Sequence, residues 1–304
     1  MMAWEEGSFF TTLRRANLYS KRSLRFEFMN ETSSFDDAGN NQISISEARA
    51  TVSLQSSGNL FGTQVNVSIF GLGLEMLAAL SSKAMGLFGT DTERISMKIF
   101  VENTAIFAGY MTSSVANMNT VPNTALMITA TANADLQNKI ASPFSFNGST
   151  PVTSVINAIC KAAGYKPYIV GLNGKVIANP HYEGSVFDQL RSLCDDLSIA
   201  MSVAPPSISF WPQESTKDDV KPLISPEYGL IGYPVFSNGG VMFQTQFSTL
   251  LTTGRDIELQ TTLPHASGVY KLTSVTHELS SWMEDGPWHS VCIANRKLEE
   301  ATSG

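Results

Sequence analysis

The chain has 304 residues, 43% of them hydrophobic and only 15% charged, with a formal net charge of −7. That length suits two or three domains, and the apolar content supports true cores, so disorder is not the default state. The acidic balance argues against a nucleic-acid binder held by phosphate contacts, which needs a basic footprint.

Charge is replaced by Ser, Thr, Asn and Gln. Such a surface suits a protein covered by neighbours, and it also occurs in secreted β proteins. Cys160, Cys194 and Cys292 are too few and too scattered for a disulfide framework or a zinc site, and they read as small core residues in a reducing cytosol. Glu5 and Glu6 interrupt the first ten residues, so no signal peptide is expected. The most apolar run, 69–80, carries Glu75 and is too short to cross a bilayer.

Residues 1–20 read as an N-terminal arm. Arg14, Arg15, Lys21, Arg22 and Arg25 form a basic cluster on and beside it, expected to be solvated. Leu24, Phe26 and Phe28 alternate with Arg25 and Glu27, the period of a half-buried strand. A polar turn over 36–41 leads to a second strand through Ala48, Ala50, Val52 and Leu54, and Val65, Val67 and Ile69 mark a third. Leu74–Lys83 reads as a short helix with Leu74, Leu77, Ala78 and Leu80 on its apolar face. Strands follow at 95–101, 105–117 and 124–132. A small sheet of this kind tends to curl and close, which removes its edges. Residues 21–137 are therefore expected to be a first barrel-like β domain.

From 138 to 212 the texture is that of a small α/β domain. Thr150 is expected to cap a helix with Pro151 in its first turn and Gly164 at its end. Ser185 with Asp188 forms a capping box for a second helix carrying Val186, Phe187, Leu190, Leu193, Cys194 and Leu197. Short strands are expected at 166–170, 175–178, 199–203 and 208–211. A charged linker over 214–221 leads to a C-terminal β domain, 213–298, with a tail at 299–304. This segment reads as an antiparallel meander of four strands. They begin at Val241 and Phe243, at Ile257 and Leu259, at Val269, and at Trp288. Along the third, Tyr270 and Leu272 fall on one face and Val275, His277 and Leu279 on the other. The segment is expected to borrow strands from the one before it. The two β-rich segments share strand spacing without visible sequence identity, which leaves an internal duplication for the structure to test.

Nothing along the chain converges on a catalytic centre. His181, His265, His277 and His289 lack the spacing of a helical zinc motif. His277 and His289 fall on neighbouring strands and are weighed as a pair, with an ordinary hydrogen-bonded or solvated histidine as the favoured reading. Asp195 and Asp196 point about 100° apart on a helix and fail as a general acid/base pair. Gly71-Leu72-Gly73 lacks the third glycine of a dinucleotide loop, since Met76 stands there. No catalytic, metal or cofactor-binding residue is expected.

The stretch Gly229–Ile293, with G-Y-P-V-F, G-R-D-I-E-L, A-S-G-V-Y-K-L-T-S-V-T-H-E-L-S-S and G-P-W in order, resembles the end of the baseplate hub proteins of contractile-tailed bacteriophages. The resemblance implies a mainly β (α+β) protein with two tail-tube-like split β-barrel domains and a small α/β insert. It implies a structural subunit of the virion tail baseplate, made in the host cytoplasm, with no enzymatic role. Three chains with two tube-like domains each would form a pseudo-six-fold ring joining the tail tube to the central spike and leaving a channel for DNA. The implied partners are two further copies, the tail tube protein, the central spike protein, baseplate wedge proteins and the tape-measure protein, with DNA only in transit and no membrane insertion. The hub of a bacterial contractile injection system is a close variant. The alternatives are a glycan- or receptor-binding tail protein and a tail-associated peptidoglycan hydrolase. Tyr228, Phe236 and Phe243, aromatic and close to glycine-rich turns, are the interface candidates. Asp256 and Glu258 are candidates for a channel wall expected to be neutral to acidic, since fixed cations there would hold phosphates.

Overall fold

The computed structural model describes residues 22–36, 38–57, 62–83, 93–116, 118–120, 123–237 and 239–297. The arm expected at 1–20 and the tail expected at 299–304 lie outside these residues. In chain order, the first β-rich part holds β1 (Leu24–Asn30), β2 (Gln42–Ser46), β3 (Arg49–Ser57), β4 (Thr63–Phe70), α1 (Leu74–Lys83), β5 (Ile95–Val101), β6 (Thr104–Ala116) and β7 (Ala125–Thr131). The α/β part holds α2 (Ala134–Asn138), β8 (Phe144–Ser145), β9 (Ser149–Pro151), α3 (Val152–Ala163), β10 (Lys166–Ile169), β11 (Val176–Ala178), β12 (His181–Tyr182), α4 (Val186–Leu197), β13 (Ile199–Ala204) and β14 (Ser207–Pro212). The last part holds β15 (Leu223–Ile224), β16 (Leu230–Ser237), β17 (Gly240–Gln246), β18 (Asp256–Leu259), β19 (Gly268–Ser281) and β20 (Trp288–Arg296).

The two β-rich parts are one sheet. Its main path runs β16-β17-β20-β19-β3-β4-β7-β6-β5-β1-β2, with β18 and β15 attached beside β19. The join is the antiparallel ladder between β3 and β19, from Ser274↔Ser57 to Ser281↔Ala50. Two barrel-like units were expected. Among the described residues, no strand pair closes either half into a ring, and the edges are β16 and β2. The C-terminal part is also not a simple meander: β17 pairs with β16 and β20, and β18 pairs with β19.

Three strands of the large sheet escaped sequence reading, as did α2, β8, β9 and β12 of the α/β part. β2 is a five-residue edge strand with one buried side chain. β15 is two residues long and parallel to β18. β16 does not alternate, because a register shift between Ile231 and Val235 breaks its pairing with β17. A further correction concerns β19. Tyr270, Leu272, Val275, His277 and Leu279 are all buried on one face, not divided between two. A β-bulge at Thr273 absorbs one residue and restores the parity.

Apolar side chains of the sheet's inner face form two cores, one under β1–β7 with Leu77 and Leu80 of α1, the other under β15–β20. Leu74, expected on the apolar face of α1, is 71% exposed. A third core belongs to the α/β part, where α3 packs on β10, α4 on β13, and the two helices on each other. The cap of α3 is Pro151, not Thr150. Thr150 is buried within β9 and paired with Ile177 of β11. Gly164 ends α3 in the left-handed conformation at φ 76°, where a side chain would be strained. The capping box of α4 forms as expected, Ser185 Oγ accepting from the Asp188 backbone N–H at 3.1 Å. The α/β part is tied to the sheet by Asp135, which is buried and takes Arg94 in an ion pair and the Tyr165 hydroxyl at 3.1 Å.

The two halves of the sheet repeat each other. β3, β4, β5, β6 and β7 occur in the same chain order, and with the same pairings, as β16, β17, β18, β19 and β20. β6 pairs with β5 up to Ser96↔Tyr110, and β19 pairs with β18 up to Asp256↔Lys271. Just beyond those points both long strands bulge, at Thr112 and at Thr273. Both bulge hydroxyls donate to a carbonyl on the next strand at 3.1 Å, Thr112 to Thr129 and Thr273 to Ile293.

Candidate functional site

Joining the halves through β3 and β19 produces a continuous outer face, on which every second residue of each strand lines up across the ladders. One row reads Gln244, Val291, Thr276, Gln55, Gln64 and Thr131, crossing β17, β20, β19, β3, β4 and β7. A parallel row reads His289, Glu278, Ser53, Asn66, Thr129 and Ser113. These rows carry one carboxylate and no Lys or Arg. Glu278 accepts a hydrogen bond from Ser53 Oγ across the junction at 2.8 Å, and Thr129 Oγ1 donates to Asn66 at 3.1 Å. Over these two rows the face is nearly free of charge; elsewhere its outward positions include Arg25 and Glu27 on β1, Lys98 on β5, Arg49 on β3 and Lys271 on β19. It lacks convergent groups for bond-breaking and suits passage or packing.

At the β16 end this face turns apolar. Val235, Met242 and Ile293 line up in register on three strands, and all are exposed. Tyr233, at 69% exposure, precedes them on β16, while Phe236, at 56% exposure, pairs with buried Val241 and belongs to the opposite, inner side. Tyr228 is exposed just before this strand. Of the interface candidates read from the sequence, Tyr228 and Phe236 therefore stand on the surface. Phe243 does not: it is 2% exposed in the core beneath β15–β20. Exposed Tyr233 and the pair Met242–Ile293 were not singled out, because β16 itself was not read as a strand.

The channel candidates lie on β18, beside these rows in the same sheet, with Asp256 paired to Lys271 and Glu258 to Val269 of β19. Asp256 is buried and held in an ion pair with Lys297 at 2.5 Å, so its carboxylate is not turned to open solvent. Glu258 accepts from Gln260 Nε2 at 2.9 Å on β18, to one side of the rows above. Sequence pattern placed both on the polar side of a strand but could not reveal which strands share the continuous face.

Histidines and carboxylates stay apart. His277 faces the core, with Nδ1 2.7 Å from Ser290 Oγ and Phe247 edge-on at 5.0 Å. Burial pushes its pKa down to about 4, so the ring is neutral. His289 is paired with Glu278 on the opposite, outer face, so the two histidines do not form a site. Asp195 lies 3.7 Å from Arg191 and Asp196 accepts from the Tyr182 hydroxyl at 3.1 Å, which sends them to different partners. Among the described residues, no group of three or more His, Cys, Asp or Glu side chains could hold a metal ion. Cys160, Cys194 and Cys292 are buried free thiols, each pushed up to about 12 by desolvation. Within the basic cluster, Arg22 stands over the Trp288 ring, while Arg25 pairs with Glu27 and covers Phe100. Arg14, Arg15 and Lys21 lie outside the described residues.

Comparison with solved structures shows what architecture this is. The chain superposes on the 43 kDa tail protein of prophage MuSo2 from Shewanella oneidensis with a TM-score of 0.60 at 11% identity, over 91% of this chain and 97% of that one. The protein has the fold of phage tail proteins. A tail protein from Neisseria meningitidis gives a TM-score of 0.61 at 8% identity, over 90% and 96%. An Escherichia coli component of the type VI secretion system, described as structurally similar to the T4 bacteriophage tail proteins gp27 and gp5, gives 0.56 at 12% identity, over 83% and 74%. No family profile and no curated protein sequence matches the chain. At identities of 8–12% the likeness is one of fold.

Proposed function

We propose that this protein is the baseplate hub subunit of a contractile phage tail, a structural component without catalysis. Three copies form a ring with pseudo-six-fold symmetry, in which residues 21–137 and 213–298 of each chain alternate. The observation that carries this reading is the repeat within the sheet: one chain contains two similarly built β units joined edge to edge through β3 and β19. Two units per chain and three chains make six similar positions. Such a ring matches a six-fold tail tube on one side and a three-fold spike on the other. Closed rotational symmetry then ends growth without leaving sheet edges free to polymerise.

The two nearly uncharged rows across the β3–β19 junction are the channel wall in this reading. DNA passing through it meets hydroxyls, amides and one hydrogen-bonded carboxylate, with no row of cations to hold phosphates. The partners are the tail tube protein above, the central spike protein below, wedge proteins outside and the tape-measure protein in the lumen.

The test is the mass of the pure protein in solution together with electron-microscope class averages, alone and with tail-tube and spike partners. The expected result is a three-chain ring with six lobes, each chain-to-chain contact burying roughly 2,000 Å² or more as obligate assemblies do. A strictly monomeric protein under all these conditions would remove the hub reading. Clearing of peptidoglycan by the pure protein would replace it with the hydrolase alternative.

A further inference from the structure

We propose that the α/β part is a hinged lid on the outer face of the sheet. It is strapped to the second β unit by residues 211–218 and latched to the first by the Arg94–Asp135 ion pair, whose release lifts it from the outward side chains of β5 and β6. The inference is independent of the ring reading and applies to a single chain.

The repeat shows where the lid rests. Tyr110 opposite Ser96 in the first unit is equivalent to Lys271 opposite Asp256 in the second. The same ladders make Ala116 equivalent to His277, and Leu54 to Phe236. Ser96 and Lys98 point outward, because Ile95, Met97 and Ile99 are buried, and Lys271 points outward between buried Tyr270 and Leu272. Both equivalent places are covered, one by the α/β part and the other by the chain that leaves it.

On the second unit the cover is tight. Lys271 Nζ donates to the Gln213 carbonyl, Arg255 Nε to Asp218 Oδ1 and the Lys217 backbone N–H to the Gly254 carbonyl, each at 2.8 Å. Trp211, 2% exposed, fills the space over Gly254, where a Cβ would stand 2.4 Å from the ring. The segment that reads as a charged linker is thus bound along its length.

On the first unit the cover is hollow. Two cavities of about 320 and 430 Å³ lie there, and both are lined by Arg94, Tyr110, Asp135 and Lys139. The end of α3 and the turn at Pro205 and Pro206 close the first of them over Ser96, Lys98 and Ala108. A polar node spans the gap. Arg94 Nη2 reaches Asp135 at 2.5 Å and Glu31 at 3.3 Å, and its guanidinium stands 4.9 Å over the Tyr110 ring. From the α/β side, the Tyr165 hydroxyl donates to Asp135 at 3.1 Å and Lys139 Nζ lies 3.7 Å from the same carboxylate.

A close-packed contact resists opening because many atoms lose neighbours together. A contact that encloses voids forfeits much of that, and depends on the few bonds that cross it. The chain enters the α/β part at Ala132 and Asn133, directly after β7, and leaves it at the strap. A line through those two connections is the natural pivot, and turning about it carries the end of α3 and the Pro205–Pro206 turn away from β5 and β6. The Asp135 side chain is 5% exposed, so removing Arg94 leaves a buried carboxylate short of its main partner and favours the opened form.

The test uses the full-length chain, whose native cysteines are at most 2% exposed and do not compete for thiol reagents. Ala108→Cys reports access to the first cavity. Its reaction with a bulky maleimide should be slow, and about tenfold or more faster when Asp135→Asn or Arg94→Gln is added, as local opening requires. Spin labels on exposed Thr104 and Lys161 should give one distance in the parent chain and a second in either variant. Labels on Glu214 and Gln260, both on the second unit, should keep theirs. Asp135→Asn keeps the shape and the acceptor for Tyr165; if it fails to fold, Arg94→Gln, at the more exposed partner, carries the test. Unchanged labelling and an unchanged Thr104–Lys161 distance in a folded variant would show a fixed contact and overturn the lid. A shifted Glu214–Gln260 distance would free the strap and overturn the hinge.

Discussion

The two β units differ most in how their equivalent edges are used. β3 and β16 occupy the same place in the repeat, yet β3 is covered on both sides and β16 on one. The consequence is visible in single residues. Leu54 of β3 is part of the core under β1–β7, while Phe236 of β16 has the same ladder position and lies in solvent. The junction strand differs in the same way. His277 of β19 is buried opposite Leu54, while Ala116 of β6 pairs with Leu126 of β7 and, among the described residues, has no strand on its other side. One unit thus completes itself with its own chain, and the other is left with an exposed, largely apolar edge among the described residues.

The largest effect should come from truncating the filled edge. Leu54→Ala removes a side chain that is 3% exposed and is expected to cost about 2–5 kcal/mol in urea denaturation. The same truncation at Phe236 should cost the isolated chain less than about 0.5 kcal/mol, as exposed positions do. Similar losses at the two positions would mean that β16 is already packed in the free chain, and the contrast would collapse.

Next comes pH. Desolvation holds His277 neutral in the folded state, with its pKa lowered from 6.5 to about 4. Below about pH 6.5 the unfolded chain takes up a proton that the folded one refuses. Stability should therefore fall between about pH 6.5 and 4, by up to roughly 3 kcal/mol from this residue. His277→Gln should flatten that part of the stability profile measured by denaturant titration. Ala116, at the equivalent place in β6, contributes no such dependence, so the acid sensitivity belongs to the filled junction. A profile unchanged by the substitution would show that the acid response arises elsewhere.

A smaller effect tests the repeat itself. Thr112→Val and Thr273→Val each delete one hydroxyl that donates to the neighbouring strand at a bulge. Each should lower stability by about 0.5–1.5 kcal/mol, the net worth of such a bond. Comparable losses at both sites would sharpen the equivalence of β6 and β19. A loss at Thr273 alone would confine the structural role of the bulge to the filled junction.

Much of this architecture is written in local sequence. The alternation of Leu24, Phe26 and Phe28, of Val65, Val67 and Ile69, and of Met97 and Ile99 is enough to place those strands and their buried faces. The capping box at Ser185 and Asp188 and the glycine at 164 mark helix ends by chemistry that acts within a few residues. Such signals are legible because the side chain and the backbone it serves are neighbours in the chain. β16 was not legible, because Gly232, Pro234 and a register shift hide its alternation and its edge position lets polar and apolar residues mix. The faces of β19 were misread for a related reason: nothing in Leu272-Thr273-Ser274 announces that one residue will be looped out.

The candidate face depended most on tertiary structure. Thr276 and Gln55 are over two hundred positions apart, and only the β3–β19 ladder sets them side by side. Phe243 and Phe236 are both aromatics beside a glycine-rich turn, and their opposite fates, core and surface, depend on which face of which strand is covered. By itself the sequence determined a mainly β, charge-poor protein with an α/β insert, because periodicity and composition act locally and additively. The tertiary structure alone decided that the two β parts share one sheet and that β16 lies at its edge. Strand pairing is a long-range choice, and its partners leave no mark at a fixed distance along the chain.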